Sequence, residues 1–266
     1  MTAINFAATP IITPGFKAFW GLQTYVFTRQ TTDLDSTFKA DKLDGSTWGA
    51  RFKNDLPGLQ EATTKITGKH SAIRNQIGDI LPNYVGQTTP IYAWNALESL
   101  NVLAPVGFGP VSVMEYSPKA KEKDVTTFDT ELSARGAAYS GFILVSPNST
   151  TQLATTGTGS DDDSTLSSGA TAFGGVIQMH VYDISGGTTP TMTMIVQHST
   201  DGTTWSTLAS FVVATPLTIP TTYVQNVLIP STTTVNAHVR ASWTTTGAPT
   251  SVQALVMYDR LTDPSL

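Results

Sequence analysis

Apolar and polar residues alternate along most of the second half of the chain, and that alternation predicts strands rather than helices. From Val235 to Thr244, Val235, Ala237, Val239, Ala241 and Trp243 take one side, and Asn236, His238, Arg240 and Ser242 the other. The same reading gives strands at Gly175–Ile184, Met192–Ser199, Trp205–Val213, Thr222–Ile229 and Ser251–Tyr258. Turn residues punctuate them at Gly186-Gly187, Asp201-Gly202 and Gly247-Ala248-Pro249. Six short strands at turn-punctuated spacing predict an Ig-like or jelly-roll β-sandwich, with no helix after residue 142.

The first half is less regular. Tyr25-Val26-Phe27-Thr28 and Ala62–Thr67 read as strands, as do Pro90–Leu97, Gly109–Tyr116 and Thr126–Ala134. In the last of these Phe128, Thr130, Leu132 and Ala134 share a face. Thr31 to Asp44 is polar and reads as a connection. One helix is predicted over about residues 71–81: Ser71 is a suitable N-cap, Ile73, Ile77, Ile80 and Leu81 form one apolar face, and Pro82 ends it. Residues 1–15 contain Pro10 and Pro14 among apolar positions and read as an extended arm.

Between the polar connection and the Ala62–Thr67 strand lies the stretch Leu43–Leu59, Gly-rich, charged and aromatic-bearing. It reads as a long loop that ends in a Pro57-Gly58 turn. Loops of that length in compact domains are usually functional or disordered. Trp48, Arg51, Phe52, Leu56 and Pro57 are therefore the candidate contact residues of the chain.

Charge changes the picture next. Residues 1–142 carry 13 Lys and Arg against 13 Asp and Glu, whereas residues 143–266 carry only Arg240 and Arg260 against 7 Asp. That asymmetry, with the Ser/Thr/Gly/Asp-rich stretch 147–170 read as a loop or linker, predicts an arm (1–15), a first domain (16–142) and a C-terminal β-sandwich (143–266). Neither half has the basic excess of a protein that grips nucleic acid. No stretch is long and apolar enough to span a membrane, and the N-terminus lacks the basic-then-apolar pattern of a signal peptide.

Candidate chemistry is sparse. The chain has no Cys, which removes disulfides, thiolate nucleophiles and Cys-ligated zinc. His70, His180, His198 and His238 lack ligand spacing beside a carboxylate, and the last three read as surface residues on strands. Asp161-Asp162-Asp163 lacks the alternation of a calcium loop. Ser199-Thr200-Asp201-Gly202-Thr203-Thr204-Trp205 falls one residue short of the sialidase Asp-box and reads better as a hairpin turn. No catalytic residue, cofactor or metal site is expected.

The run Asp35–Gly68 resembles the tail-tube subunits of long-tailed bacteriophages: Leu43-Asp44-Gly45-Ser46-Thr47, then Arg51, Pro57-Gly58-Leu59 and the strand to Gly68. The helix at Ser71 and the strand Val125–Gly136 sit where that family has them. The second half is similar to the β-sandwich that many phage major tail proteins append, with its Gly-Gly-Thr-Thr-Pro turn, Trp205, Arg240 and Trp243. The aromatic-rich start (Phe16 to Phe27) and the Pro-bearing arm depart from the family pattern.

The resemblance implies a mainly β protein: a tail-tube-like barrel or sandwich with one flanking helix, followed by the β-sandwich. It implies a non-enzymatic virion subunit that forms hexameric rings stacked into a tube. Viral DNA would pass through the lumen without sequence-specific binding. Partners would be further copies and the terminator, tape measure and distal tail proteins, after assembly in the host cytoplasm. The long loop would join subunits or rings. Two other readings are weighed against this one. A virion surface or decoration protein would hold carbohydrate on its sandwich, and exposed aromatic clusters there would favour it. A glycan hydrolase would need paired carboxylates, and the acids of the second half cluster in one loop and at strand ends.

Overall fold

The computed structural model describes residues 18–22, 25–26, 31–44, 55–70, 77–89, 91–97, 100–120, 125–146, 153, 156–159, 169–214 and 223–262. They are mainly antiparallel strand: β1 Ala18–Leu22, β2 Tyr25–Val26, β3 Thr31–Asp44, β4 Asp55–Lys69, β5 Ile91–Leu97, β6 Pro105–Lys119, β7 Thr127–Ala134, β8 Tyr139–Val145, β9 Gly157–Thr158, β10 Gly175–Ser185, β11 Thr191–Ser199, β12 Ser206–Ala214, β13 Tyr223–Ile229, β14 His238–Thr246 and β15 Ser251–Arg260. The chain divides into two compact units, one of residues 1–26, 92–109 and 139–266, the other of 27–91 and 110–138. Strand β6 supplies residues to both.

The first unit is built on β8–β15. Its two sheets run β8-β15-β10-β13 and β9-β14-β11-β12. The partners nest, β8 with β15, β9 with β14, β10 with β13 and β11 with β12, and alternate pairs fall in alternate sheets. This connectivity is a jelly roll, which decides between the two sandwich types left open above. All six strands expected after residue 174 are present, with no end shifted by more than three residues. Gly157–Thr158 lies inside the expected linker 147–170 yet pairs with β14, and Leu153 is helical and fully buried there.

Alternation explains the core. Ile177, Met179 and Val181 of β10 and Val252, Ala254 and Val256 of β15 point between the sheets toward Met194, Phe211, Val239 and Trp243. The alternate residues Val176, Leu255 and Met257 are buried on the opposite face, against Trp94, Ala96, Val106 and Phe108 of β5 and β6. Strands β10 and β15 are therefore covered on both sides, which is why Val252–Tyr258 reads as an almost unbroken apolar run.

One consequence corrects the sequence reading. His180 was expected on the surface but is fully buried, on the face of β10 that packs against β5. Its Nε2 lies 2.7 Å from Gln178 Nε2, which also donates to Ala93 O at 3.3 Å, so the two buried polar side chains hydrogen-bond to each other and to the backbone of β5. Gly141 lies within β8, where a Cβ would collide with the carbonyl oxygen of Tyr258.

The second unit is a smaller sheet of β3, β4, β7 and the later part of β6, in that order. On β7 the expected alternation holds: Phe128, Thr130 and Leu132 are buried and their neighbours are half exposed. The helix α1 spans Ile77–Ile80, followed by a 3-10 turn Leu81–Asn83, and Ile77, Ile80 and Leu81 form its buried face. Residues 71–76 lie outside the described residues. Pro82 does not end the chain's helical path at once: it sits at the start of the 3-10 turn, where a missing N–H costs nothing.

A candidate assembly surface

Strand β3 is the largest difference from the sequence reading. The polar segment taken as a connection is a 14-residue strand, paired along its length with the 15-residue β4. Its composition hid it: Leu34, Phe38 and Leu43 are its only large apolar residues. From Thr32 to Lys39 no residue is fully buried, so neither face gives a hydrophobic period. What holds it is backbone pairing, with side-chain rungs added. Ser36 Oγ and Thr64 Oγ1 are 3.1 Å apart, and Thr32 Oγ1 donates to Thr67 O at 3.1 Å.

The base of this hairpin is well anchored. Strand β4 pairs with β7 from Thr63↔Ser133 to Lys69↔Thr127. Lys65 Nζ is 3.6 Å from Glu131, and Thr67 Oγ1 donates to Asp129 at 3.0 Å. Lys119 also donates to Asp129 and holds that carboxyl below the usual carboxylate range. His70 Nδ1 and the Tyr116 hydroxyl share a 2.6 Å hydrogen bond, and the Tyr116 ring lies 6.0 Å from that of Phe128.

The far part of the hairpin has no such support. β4 pairs with β7 only from Thr63 onward, so Asp55–Ala62 has β3 as its sole strand partner among the described residues. Among the described residues the ribbon of Phe38–Asp44 and Asp55–Ala62 thus has two strands and two open edges, over a length of about 25 Å. Phe38, at its base opposite Ala62, is 65% exposed. A two-stranded ribbon is at best marginally stable in water, and an open edge is a template for pairing with another chain.

The candidate contact residues fall at the far end. Leu56 and Pro57 were expected in a loop with a Pro-Gly turn. Instead both lie on β4, where Leu56 pairs with Leu43 and Pro57 with Lys42. The register slips between Ala40 and Lys42, so that Gly58 and Leu59 oppose Asp41 alone. Proline is tolerated in a ladder at such a bulge, because no N–H is required of it there. Trp48, Arg51 and Phe52 lie outside the described residues, in the segment 45–54 that joins the two strands in sequence. Sequence reasoning missed Phe38. The signal available was a lone aromatic in a polar strand with no buried face to fill.

Among the described residues no three His, Asp or Glu side chains converge as metal ligands would. No described helix is long and apolar enough to cross a membrane. What the surface offers is strand edges, an exposed aromatic and charges of both signs.

No protein-family model matches the chain, and no curated protein sequence does. Among solved structures, the chain is similar to one from the virion of a native gene transfer agent particle, at 10% identity, over 46% of this chain and 93% of that one, with a TM-score of 0.39. A second likeness is to the PVC sheath–tube complex of an extracellular contractile injection system in its extended state, at 10% identity, over 53% and 99%, with a TM-score of 0.37. A third is to the Dit protein of SPP1, described as a hub adsorption apparatus of phages that infect Gram-positive bacteria, at 9% identity, over 91% and 98%, with a TM-score of 0.35. Likenesses this distant establish neither a family nor a function.

Proposed function

We propose that this chain is a structural subunit of a bacteriophage tail tube, assembling with copies of itself through the β3–β4 ribbon. The observation that carries the reading is the ribbon itself: Phe38–Asp44 and Asp55–Ala62 pair with each other and with no third strand among the described residues. Six subunits in a ring would supply what each lacks, each ribbon being covered by a neighbour. The resemblance of Asp35–Gly68 to tail-tube subunits supports the same assignment.

On this reading Trp48, Arg51, Phe52, Leu56 and Pro57 are inter-subunit contacts, and stacked hexameric rings form the conduit for DNA. Residues 143–266 are the appended sandwich, a division supported by a core drawn wholly from Leu144 to Tyr258. The terminator, tape measure and distal tail proteins are the further partners, and the subunit is not an enzyme.

Phe38→Glu tests the assignment. Phe38 is 65% exposed, so the substitution removes little from the monomer's own core. Sedimentation should show wild-type protein entering large assemblies and the variant remaining monomeric with an unchanged melting curve. Assembly of the variant to the wild-type extent would count against the ribbon as the contact.

A further inference from the structure

We propose that the outer face of the β9-β14-β11-β12 sheet binds an acidic saccharide, with Arg240 holding a sugar carboxylate beside Trp205. Three observations converge there.

The first is charge. Residues 143–266 contain two cationic side chains other than histidine, Arg240 and Arg260, against 7 Asp. Arg260 is buried and spends its guanidinium on the carbonyls of Gly169 and Ala237, at 2.6 and 2.5 Å. Arg240 is thus the single permanent positive charge available on the surface of this acidic segment. Among the described residues no carboxylate pairs with it.

The second is orientation. The Arg240 guanidinium carbon lies 3.8 Å from the centre of the Trp205 ring, and its Nε donates to Gln197 Oε1 at 3.1 Å. Gln197 and Arg240 are direct cross-strand partners. Stacking and this bond fix the guanidinium plane and leave its two terminal nitrogens for a ligand. That edge is the fork that grips a carboxylate with two parallel hydrogen bonds. The loop before Trp205 is fixed as well. The Asp201 carboxylate accepts from the Thr203 and Thr204 amides at 2.8 and 2.7 Å and from Ser199 Oγ at 2.8 Å. These bonds hold it ionised, well below the usual range, and consume it within the turn.

The third is the surrounding surface. With a period of two, Gln197, Ile195 and Thr193 of β11 and Ser242 of β14 share the face with Arg240. None is charged, and all are partly exposed. Gln197 uses its oxygen on Arg240, so its amide N–H groups add donors beside the fork. An oriented cation, further donors and an indole on a weakly polar sheet suit a ligand with a carboxylate, many acceptor oxygens and apolar C–H faces. A sugar acid has all three.

Isothermal titration of the full chain with trigalacturonate decides the matter, with neutral galactotriose as control and a glycerol-phosphate oligomer as a second arm. We expect trigalacturonate to bind at least about tenfold more tightly than either. Arg240→Gln should weaken it by about tenfold or more with an unchanged melting curve. Trp205→Phe, which keeps an aromatic floor, should weaken it less. Three results would overturn the proposal: equal affinity for the neutral sugar, preference for the phosphate oligomer, or undiminished binding by Arg240→Gln. Absence of saccharide binding together with a changed oligomeric state in Arg240→Gln would overturn it too, and assign the face to contact between copies.

Discussion

Asp259 should make the stability of the chain fall as the pH rises from 4 to 6. The residue lies near the end of β15, opposite Val176 of β10, and its Oδ2 accepts the Ser140 amide at 3.2 Å. Burial raises its carboxyl from 3.8 to about 6, against the lowering effect of the Ser140 and Arg260 amides. Between those values the folded chain keeps a proton that the unfolded chain has released. The stability gained from protonation is full below 3.8, declines through the window and is gone above about 6. A shift of roughly two units corresponds to about 3 kcal/mol. Asp259→Asn keeps an acceptor for Ser140 but cannot ionise. Urea unfolding followed by tryptophan fluorescence should show variant and wild type nearly equal at pH 4. At pH 7.5 the variant should be more stable by up to about 3 kcal/mol. Parallel stability curves across this range, or a gap that widens toward acid, would refute the reasoning.

Three further outcomes are expected. Gly141→Ala places a methyl group against the Tyr258 carbonyl and should destabilise the first unit by about 1–3 kcal/mol, read as a lower urea midpoint; an unchanged midpoint would mean that β8 and β15 separate at no cost. Arg260→Met leaves the Gly169 and Ala237 carbonyls without their donor and should cost about 1–3 kcal/mol in the same assay, whereas a neutral result would show water replacing the guanidinium. Limited proteolysis should cut first within 147–170 and leave a resistant C-terminal β-rich fragment; earlier cutting elsewhere would count against the division at residue 143.

The parts of the fold that were legible in the sequence are those where burial imposes a period. β7 and β10–β15 alternate or run apolar because one or both faces are covered, and Gly and Asp-Gly turns separate them. β3 was not legible, because hydrophobic period reports burial and not pairing, and from Thr32 to Lys39 the strand has no fully buried residue. For the same reason Pro57-Gly58 looked like a turn: the bulge that accommodates it exists only relative to β3. His180 misled because a histidine on a strand carries no mark of what covers the strand's second face. Arg240 stands on β14 and Trp205 immediately before β12, and β11 lies between those two strands. Their stacking depends on sheet order, which no local pattern encodes.

Electron microscopy of the purified full chain, beside Trp48→Ala/Arg51→Ala, tests the central claim most directly. Trp and Arg truncations at an interface hot spot typically cost about 2 kcal/mol or more each, and a ring repeats that loss at every contact. Wild-type protein should form rings of six-fold symmetry or tubes built from them, and the double variant should form neither while keeping the monomer's circular-dichroism spectrum and melting curve. Dispersed wild-type particles at every concentration, or tubes from the double variant, would contradict assembly through this hairpin.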